Sequence, residues 1–590
     1  MKGENGMTKL TTVGGRRTVE ITQFGSLDRQ SPICGGAQAW VLRNLRPLED
    51  GSLVRREGFS PVLTTEGEIR GVFFTERGGV QEGYAVFGET VCFLKEEDGG
   101  YAPITLGTLT TQVGRVHVLR HDGCVVLMDG VAAYTLTPEG MEELRAYAPL
   151  YGKDWDPTRS APRPMHETPN LLTRQLRFRF VHQTDGVLGL YMNDLAVESV
   201  DGLLADGVPT TKWRFEKDNN CVWLERIFEI GTVFEVLVTM KPSFFETRTD
   251  GPLGAESVAV IGDAERASLL FFGGSVPTGK VWMSRAVDDE ARDTHAKLSS
   301  DYCCVYVTAE DMITVGDGVQ SITGACRHYD RSLIFTADQT WMADGSLGES
   351  GRLRLIPINN TLGCDRLDGC AVVGNHPYTF HRGRVLRWNS RTDERDECNA
   401  EVVSLALGDK LDRAAARLFA DVSMRELWVF VPGRDGVLVM RGDGAWTVFD
   451  GFSPDGMVMI GDAVGFYEGR TLYRFDADSL CDVDGTGQAR AIEVEYQSRY
   501  MDFGQAHRVK RLCGVTLLAA CGDGSIELAV EDVRGRVSRE TLRGTGDEVS
   551  VLTTRAHSGR FRYLRIHLFG RESGRLRLCG LAATARGASQ

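Results

Sequence analysis

Residues 84–94 read YAVFGETVCFL, two β-rich halves joined by a Gly turn. The same design recurs in residues 124–136, 270–285, 333–342, 378–388, 427–449 and 464–475. Most successive copies lie roughly 40–60 residues apart, which is the size of one four-stranded propeller blade. A single blade cannot bury both of its faces, so repeated blades pack radially around an axis. We therefore predict an all-β fold, specifically a β-propeller of about six to eight blades.

Two further β-rich regions do not follow this repeat. Alternation of apolar and polar residues in 176–181 and 232–240 predicts a small β-sandwich inserted between blades. The pattern FRYLRIHLFG in 561–570 belongs to a last β-rich region. The predicted organisation is an N-terminal extended arm (1–62), the first part of the propeller (63–150), a linker with the inserted β domain (151–250), the second part of the propeller (251–480) and a C-terminal β-sandwich-like module (481–590).

Charge is distributed unevenly along the 590 residues, whose formal net charge is −14. Residues 491–590 hold 16 Lys and Arg against 11 Asp and Glu, a net charge of +5, so the remainder carries −19. An acidic body disfavours ordinary binding along a phosphate backbone, which requires basic stripes. The same charge is compatible with a surface past which DNA slides without adhering. We also expect no membrane span, because no run of 18 apolar residues occurs.

Catalytic motifs are missing from the sequence: it contains no GxSxG, no HExxH and no P-loop. Asp476, Asp478, Asp482 and Asp484 resemble a calcium loop, but Leu480 occupies a position that needs a ligand and no Glu closes the loop. We therefore predict that the chain is not an enzyme and that it uses no cofactor and no metal.

The order of the parts resembles the tail nozzle and neck propeller proteins of tailed bacteriophages. The resemblance rests on NLRPLEDGSLVRREGF (44–59), FFGG and GKVWMSR within 271–285, VGDGVQSITGA (315–325), and YMDFG followed by HRVKRL within 500–512. It extends over nearly the whole chain, as an architecture with loose motifs. No catalytic residues belong to that family.

This resemblance implies a virion structural protein in the tail or neck, assembled in the cytoplasm of the bacterial host. Six copies would form a homo-hexameric nozzle ring next to the portal, the adaptor and other tail proteins. DNA would pass through the lumen without sequence-specific binding. Candidate subunit contacts are basic residues of the arm and of the C-terminal module, namely Arg55, Arg56, Arg560, Arg562 and Arg565.

Two alternative functions remain open at this point. A receptor- or glycan-binding tail-tip protein would use aromatic residues such as Trp155, Trp213 or Trp223 to stack on sugars. A propeller glycosidase would need paired carboxylates that converge near the axis.

Overall fold

The computed structural model describes residues 7–33, 36–97, 99–155, 164–183, 188–192, 195–244, 250–261, 267–299, 302–329, 331–343, 354–389, 399–411, 416–522, 524–544, 546–554, 559–570 and 575–588. Within these ranges the chain is built of strands with a single α-helix, which confirms the predicted all-β class. The chain divides into two compact units. Unit 1 comprises Met1–Ile69, Glu96–Ala102 and Asp368–Gln590, and unit 2 comprises Arg70–Lys95 and Pro103–Leu367.

The N-terminal segment is paired along most of its length, although the sequence predicted an extended arm. Its strands are β1 (Met7–Val13), β2 (Arg16–Gln23), β3 (Ala39–Arg43), β4 (Leu45–Pro47), β5 (Leu53–Arg55) and β6 (Gly58–Thr64). Strands β1 and β2 form a hairpin whose two-residue turn, Gly14-Gly15, has positive φ at both positions. Strands β4 and β5 form a second local hairpin. The remaining partners, in four strands between residues 446 and 587, lie hundreds of residues away in the sequence, so local patterns do not reveal them.

Eight strands follow and form two sheets of four strands each, in chain order. They are β7 (Ile69–Arg77), β8 (Val80–Phe87), β9 (Thr90–Glu97), β10 (Gly100–Thr108), β11 (His117–His121), β12 (Cys124–Met128), β13 (Ala133–Thr137) and β14 (Gly140–Glu143).

The predicted inserted region contains two sheets. Its strands are β15 (Leu150–Trp155), β16 (Gln175–Val181), β17 (Gly189–Tyr191), β18 (Val197–Ala205), β19 (Val208–Pro209), β20 (Trp213–Glu216), β21 (Cys221–Leu224) and β22 (Val233–Met240). The orders are β15–β16–β22–β18–β19 and β17–β21–β20. Phe178 and Val236 of the first sheet share one hydrophobic cluster with Leu190 and Val222 of the second. Part of the predicted linker, residues 156–163, lies outside the described residues.

Unit 2 then continues with two more four-stranded sheets, again in chain order. Their strands are β23 (Ser257–Ile261), β24 (Ser268–Phe272), β25 (Lys280–Met283), β26 (Met312–Thr314), β27 (Ile322–His328), β28 (Arg331–Thr336), β29 (Thr340–Ala343) and β30 (Leu355–Asn359). Helix α1 (Asp289–Leu298) lies between β25 and β26, and its N-cap Asp288 accepts hydrogen bonds from two backbone amides. Short 3-10 turns occur at Pro242–Phe244, Pro252–Gly254 and Leu405–Lys410.

Unit 1 contains the remaining repeats. Its strands here are β31 (Cys370–Val373), β32 (His376–His381), β33 (Arg384–Trp388), β34 (Ala400–Val402), β35 (Arg417–Asp421), β36 (Glu426–Phe430), β37 (Val437–Arg441), β38 (Trp446–Phe449), β39 (Gly456–Ile460), β40 (Ala463–Glu468), β41 (Thr471–Asp476), β42 (Cys481–Val483) and β43 (Ala489–Ala491). Strands β31–β34 and β35–β38 pair in chain order. Each of the seven quoted stretches forms an antiparallel hairpin within its sheet.

The last repeat borrows its fourth strand from the N-terminus. Strands β39, β40 and β41 are completed by β6, with Thr471 opposite Thr64 and Asp476 opposite Gly58. Only glycine fits at position 58, because a Cβ there would lie 2.0 Å from the carbonyl oxygen of Cys481. Both ends of a long stretch of chain are thereby fixed in one sheet.

The C-terminal strands also combine with the N-terminal ones. They are β44 (Val494–Ser498), β45 (Lys510–Ala520), β46 (Ser525–Asp532), β47 (Val537–Arg543), β48 (Ser550–Thr554), β49 (Leu564–Gly570) and β50 (Arg577–Gly587). One sheet has the order β1–β2–β50–β45–β48 along its main path. The other has the order β35–β36–β37–β38–β3–β44–β49–β46–β47, so the repeat strands β35–β38 belong to it. Ile21 of the first sheet and Tyr496 of the second share one hydrophobic cluster.

Candidate functional site

Arg56, one of the predicted contact residues, directly follows β5 and is held inside its own chain. Its two terminal nitrogens donate to the two carboxylate oxygens of Asp482, over 2.8 and 2.7 Å. Nε donates to Asn44 Oδ1 over 3.0 Å, and the remaining N–H groups reach the carbonyl oxygens of Glu57 and Asp450. All five N–H donors of the guanidinium are therefore used.

The side chain of Arg56 is buried among aromatic rings. Its side chain is 1% exposed, and the guanidinium carbon lies 5.5–5.9 Å from the ring centres of Phe59, Phe452 and Phe475. Neighbouring Arg55 is also buried, and desolvation together with the charge of Arg56 lowers its pKa. Neither side chain offers a surface to a neighbouring molecule in the described chain, so a subunit contact through them remains only a prediction.

Arg565 lies on β49 and is largely satisfied by internal partners. It donates to both carboxylate oxygens of Glu531, at 2.9 Å from Nη2, and its guanidinium carbon lies 4.8 Å from the ring centre of Tyr500. His567, two residues further along the strand, contacts the same carboxylate over 2.9 Å. Burial and the charge of Arg565 lower the pKa of His567 to about 4, so the imidazole is neutral at pH 7.

Arg560 and Arg562 are exposed. They flank Phe561, which pairs through its backbone with Lys510 over 2.8 and 3.0 Å. The predicted alternation of apolar and polar residues holds from Leu564 to Phe569. The strand begins only at Leu564, so both arginines precede it. These two are the members of the predicted set that lie on an open surface.

A first cavity of about 580 Å³ borders the Arg56 site. Several carboxylates line it, among them Asp435, Glu468 and Asp484. Burial and the charges of Asp455 and Asp435 raise the pKa of Glu468.

Two members of the calcium-like loop also lie at this cavity, and both are engaged by protein groups. Asp482 pairs with Arg56, while Asp484 accepts from Thr486 and pairs with Arg490. Across the described ranges no three His, Cys, Asp or Glu side chains form a group suited to a metal ion.

A second cavity of about 740 Å³ was not anticipated from the sequence. Glu426 lines it at the start of β36, and its side chain is 2% exposed. Its Oε2 lies 3.3 Å from Nη2 of Arg46 but accepts no hydrogen bond within the described structure. Burial outweighs the attraction of Arg46 and raises the pKa of Glu426 to about 7. The carboxylates of Glu49 and Asp443 line the same cavity.

The tryptophans considered for sugar stacking present little free surface. Trp155 is buried in the inserted region, and Trp213 and Trp223 are half-buried. The indole N–H of Trp213 donates to the Thr210 carbonyl oxygen over 2.8 Å, and that of Trp223 donates to Glu216 Oε2 over 2.7 Å. This placement gives no support to a sugar-binding platform on the inserted region.

Among the described residues, no helix is long and apolar enough to cross a membrane. No protein-family model matches this chain, and no curated protein matches it either. Solved structures do match, but distantly. An exo-β-1,3-galactanase from Phanerochaete chrysosporium bound to β-1,3-galactotriose shares 9% identity over 90% of this chain and 100% of its own, with a TM-score of 0.22.

Two further solved structures are about as distant. PorZ, a surface component of the type-IX secretion system of Porphyromonas gingivalis, shares 9% identity over 93% of this chain and 82% of its own, with a TM-score of 0.27. The dihydro-heme d1 dehydrogenase NirN shares 10% identity over 85% and 76%, with a TM-score of 0.28.

The prediction that this chain is not an enzyme is corrected by these comparisons. A glycoside hydrolase is among the matching structures. The absence of short catalytic motifs was the basis of that prediction, and carboxylate pairs that come together only in the fold have no such motif. We therefore do not keep the prediction.

Proposed function

We propose that this chain is a structural subunit of the tail of a tailed bacteriophage, assembled as a homo-hexameric nozzle ring in the neck. The observation that carries the proposal is an open sheet edge with exposed apolar side chains. Among the described strands, β1 forms one edge of its seven-stranded sheet, which also contains β4 and β5, and Met7 and Val13 on β1 are 57% and 78% exposed. Val551, on β48 at the opposite edge, is 65% exposed.

Such edges are unusual in a lone soluble chain. Monomeric proteins protect edge strands with charges, proline, bulges or covering loops, because an open edge invites pairing with another chain. Strand β1 has the sequence MTKLTTV, with a single charged residue. An assembly that covers this edge removes both the apolar exposure and the unpaired backbone groups.

We take the seven repeat sheets as blades of a β-propeller. The feature that favours this is the sheet β39–β40–β41–β6, in which the first repeat-type strand of the chain completes the last sheet. Pairing of early and late strands in one blade joins the two ends of a ring of blades. The two sheets of the inserted region, and the two that combine the N- and C-terminal strands, would be β-sandwiches.

In this function the acidic body lines a path for DNA, which passes through the ring without sequence-specific binding. Like charge on the wall and on the phosphates prevents adhesion. The portal, the adaptor and other tail proteins are the expected neighbours, and the mature location is the virion.

The test is the assembly state of the purified chain. Negative-stain micrographs and light scattering should show rings of six copies, and Val13→Lys with Leu10→Lys should reduce their amount. Val113→Lys, at an exposed position away from the sheet, serves as the matched control. A wild-type chain that stays monomeric at every concentration tested would contradict the proposal.

A second candidate function, glycoside hydrolysis, is favoured by one observation. Glu426 has the raised pKa of a general acid and shares its cavity with the carboxylates of Asp443 and Glu49. A panel of chromogenic glycosides should then reveal turnover that Glu426→Gln abolishes and Glu401→Gln, on exposed Glu401, leaves unchanged. Absence of turnover across the panel would exclude this candidate.

A further inference from the structure

Three arginines form a row across the outer face of the sheet β1–β2–β50–β45–β48. Arg16 on β2 lies opposite Arg586 on β50, and Arg586 lies opposite Arg511 on β45. All three are exposed. The next residue on each of β45 and β50, towards the strand interior, is the buried Leu512 or Ala585, so the three arginines share the solvent-facing side. We call this row the arginine ladder.

The ladder lacks the ion pairs that Arg56 and Arg565, also in unit 1, make. Adjacent strands lie about 4.8 Å apart, so the guanidinium groups are carried on neighbouring positions of one face. Like charges directly opposite each other destabilise a sheet. In the part of the chain that the structure describes, no carboxylate forms an ion pair with any of the three, whereas Arg565, on the other sheet, has Glu531.

The row of residues beside the ladder is half-buried and carries small side chains. The next outward row contains Thr18 and Thr584, whose hydroxyl oxygens lie 2.9 Å apart, and Gly514. Small side chains here allow a partner surface to approach the guanidinium groups. Arg560 and Arg562 extend the positive charge, because Phe561 between them pairs with Lys510, the neighbour of Arg511.

We propose that the arginine ladder binds carboxylates on the acidic surface of a second copy of this chain, as a head-to-tail contact of the ring. This inference rests on the proposed ring function and names the surface that builds it. Charge complementarity selects the occupant: residues 491–590 carry +5 and the rest of the chain −19, so each copy supplies both halves of the contact. The planar guanidinium fork matches a carboxylate with two parallel hydrogen bonds.

Nucleic acid is the less suitable occupant. Single strands require aromatic platforms for base stacking, and the two nearest rows on β2, β50 and β45 hold no aromatic residue: they contain Thr18, Thr584 and Gly514, then Glu20, Ala582 and Thr516. A duplex requires a long basic stripe, whereas this module also contains 11 acidic residues.

Charge reversal tests the inference. Arg511→Glu with Arg586→Glu should weaken association of the full-length chain about 100-fold or more in sedimentation experiments, because like charges then face each other. Arg539→Glu with Arg543→Glu, a matched pair on β47 of the other sheet, should change it by less than about threefold. Binding of a short DNA duplex is measured on the same proteins by fluorescence anisotropy.

The outcomes separate the ladder from the ring. If the wild type forms rings and the ladder variant forms them equally well, the ladder contact is overturned while the ring function stands. Loss of duplex binding with unchanged association would assign the ladder to phosphates and also overturn the inference. A wild type that never associates overturns the ring and the contact together. Unchanged circular dichroism of the variant monomer shows that the substitutions have not unfolded it.

Discussion

Arg56 and the arginine ladder belong to the same unit but have opposite surroundings. Arg56 is buried, and each of its five N–H groups has an acceptor within the chain. The ladder arginines Arg16, Arg511 and Arg586 are exposed and face one another. A charge that is satisfied internally stabilises one chain, while a row of unsatisfied charges provides binding energy for another. All four residues are arginines, so the residue type does not tell a structural role from a binding role. The number of N–H donors that find an acceptor within the chain does.

The largest effect expected is on the stability of the Arg56 site. Arg56→Ala leaves Asp482 buried without its partner, and breaking one side of a buried ion pair costs about 3–5 kcal/mol. Hydrogen exchange of the peptides that cover 53–64 and 471–483 should report this loss. Arg16→Ala should change the free energy of opening measured by this exchange by less than about 0.5 kcal/mol. Equal losses in the two variants would contradict the contrast between a buried and an exposed arginine.

Glu426 is buried like Arg56, but its Oε2 accepts no hydrogen bond within the described structure. Its folded pKa of about 7 exceeds the ordinary carboxyl value, so the folded state holds the proton more tightly than the unfolded chain does. The stability that Glu426 contributes should therefore be fully present below about pH 4.5 and be lost as pH rises through about 7, by about 3 kcal/mol at most.

Glu426→Gln should remove this decline in pH-dependent unfolding. Glu401→Gln, at an exposed carboxylate, serves as the control and should preserve it. A wild-type profile that is flat between about pH 5 and pH 8 would show that Glu426 stays ionised in the fold.

Salt should act on the ladder and spare Arg56. Raising NaCl from about 50 mM to about 500 mM shortens the Debye length and should weaken ring association about tenfold or more. Hydrogen exchange at 53–64 should stay nearly constant, because salt screens a buried ion pair such as Arg56–Asp482 much less than exposed charges. Salt-independent association would mean that exposed charges do not drive assembly.

The smallest expected effect runs in the opposite direction. Arg586→Glu places a carboxylate between Arg16 and Arg511 and replaces repulsion with attraction. The monomer should become more stable by about 0.5–1 kcal/mol, read from its thermal midpoint at a concentration below association. A destabilised monomer would show that the three guanidinium groups do not repel each other.

Local sequence patterns predicted much of the fold. The repeated hairpins, the two extra β-rich regions and the alternation in 564–570 all follow from residues close together in the chain. The N-terminal segment was predicted as an extended arm, and its extensive pairing was not foreseen because partners such as β50 and β41 lie more than 400 residues away. Alternation shows which face a side chain takes, but it does not show which strand lies beside it.

The same reason explains the candidate sites. Arg560 and Arg562 could be found because a run of alternating residues contains or borders them. Arg56 carried no sign that Asp482 would pair with it, and the ladder joins positions 16, 511 and 586, which no local motif connects. Glu426 begins the buried strand ELWVF, and its burial depends on the cavity walls supplied by the N-terminal segment.

The pairing of β2 with β50 has a consequence for biosynthesis. The two strands lie more than 500 residues apart in the sequence, so at about 5–20 residues per second β2 waits roughly 30–110 s for its partner to be synthesised. During that interval the edge of β2 that pairs with β50 is available to other nascent chains. Chaperones that bind the N-terminal segment would protect newly made copies until β50 has been synthesised.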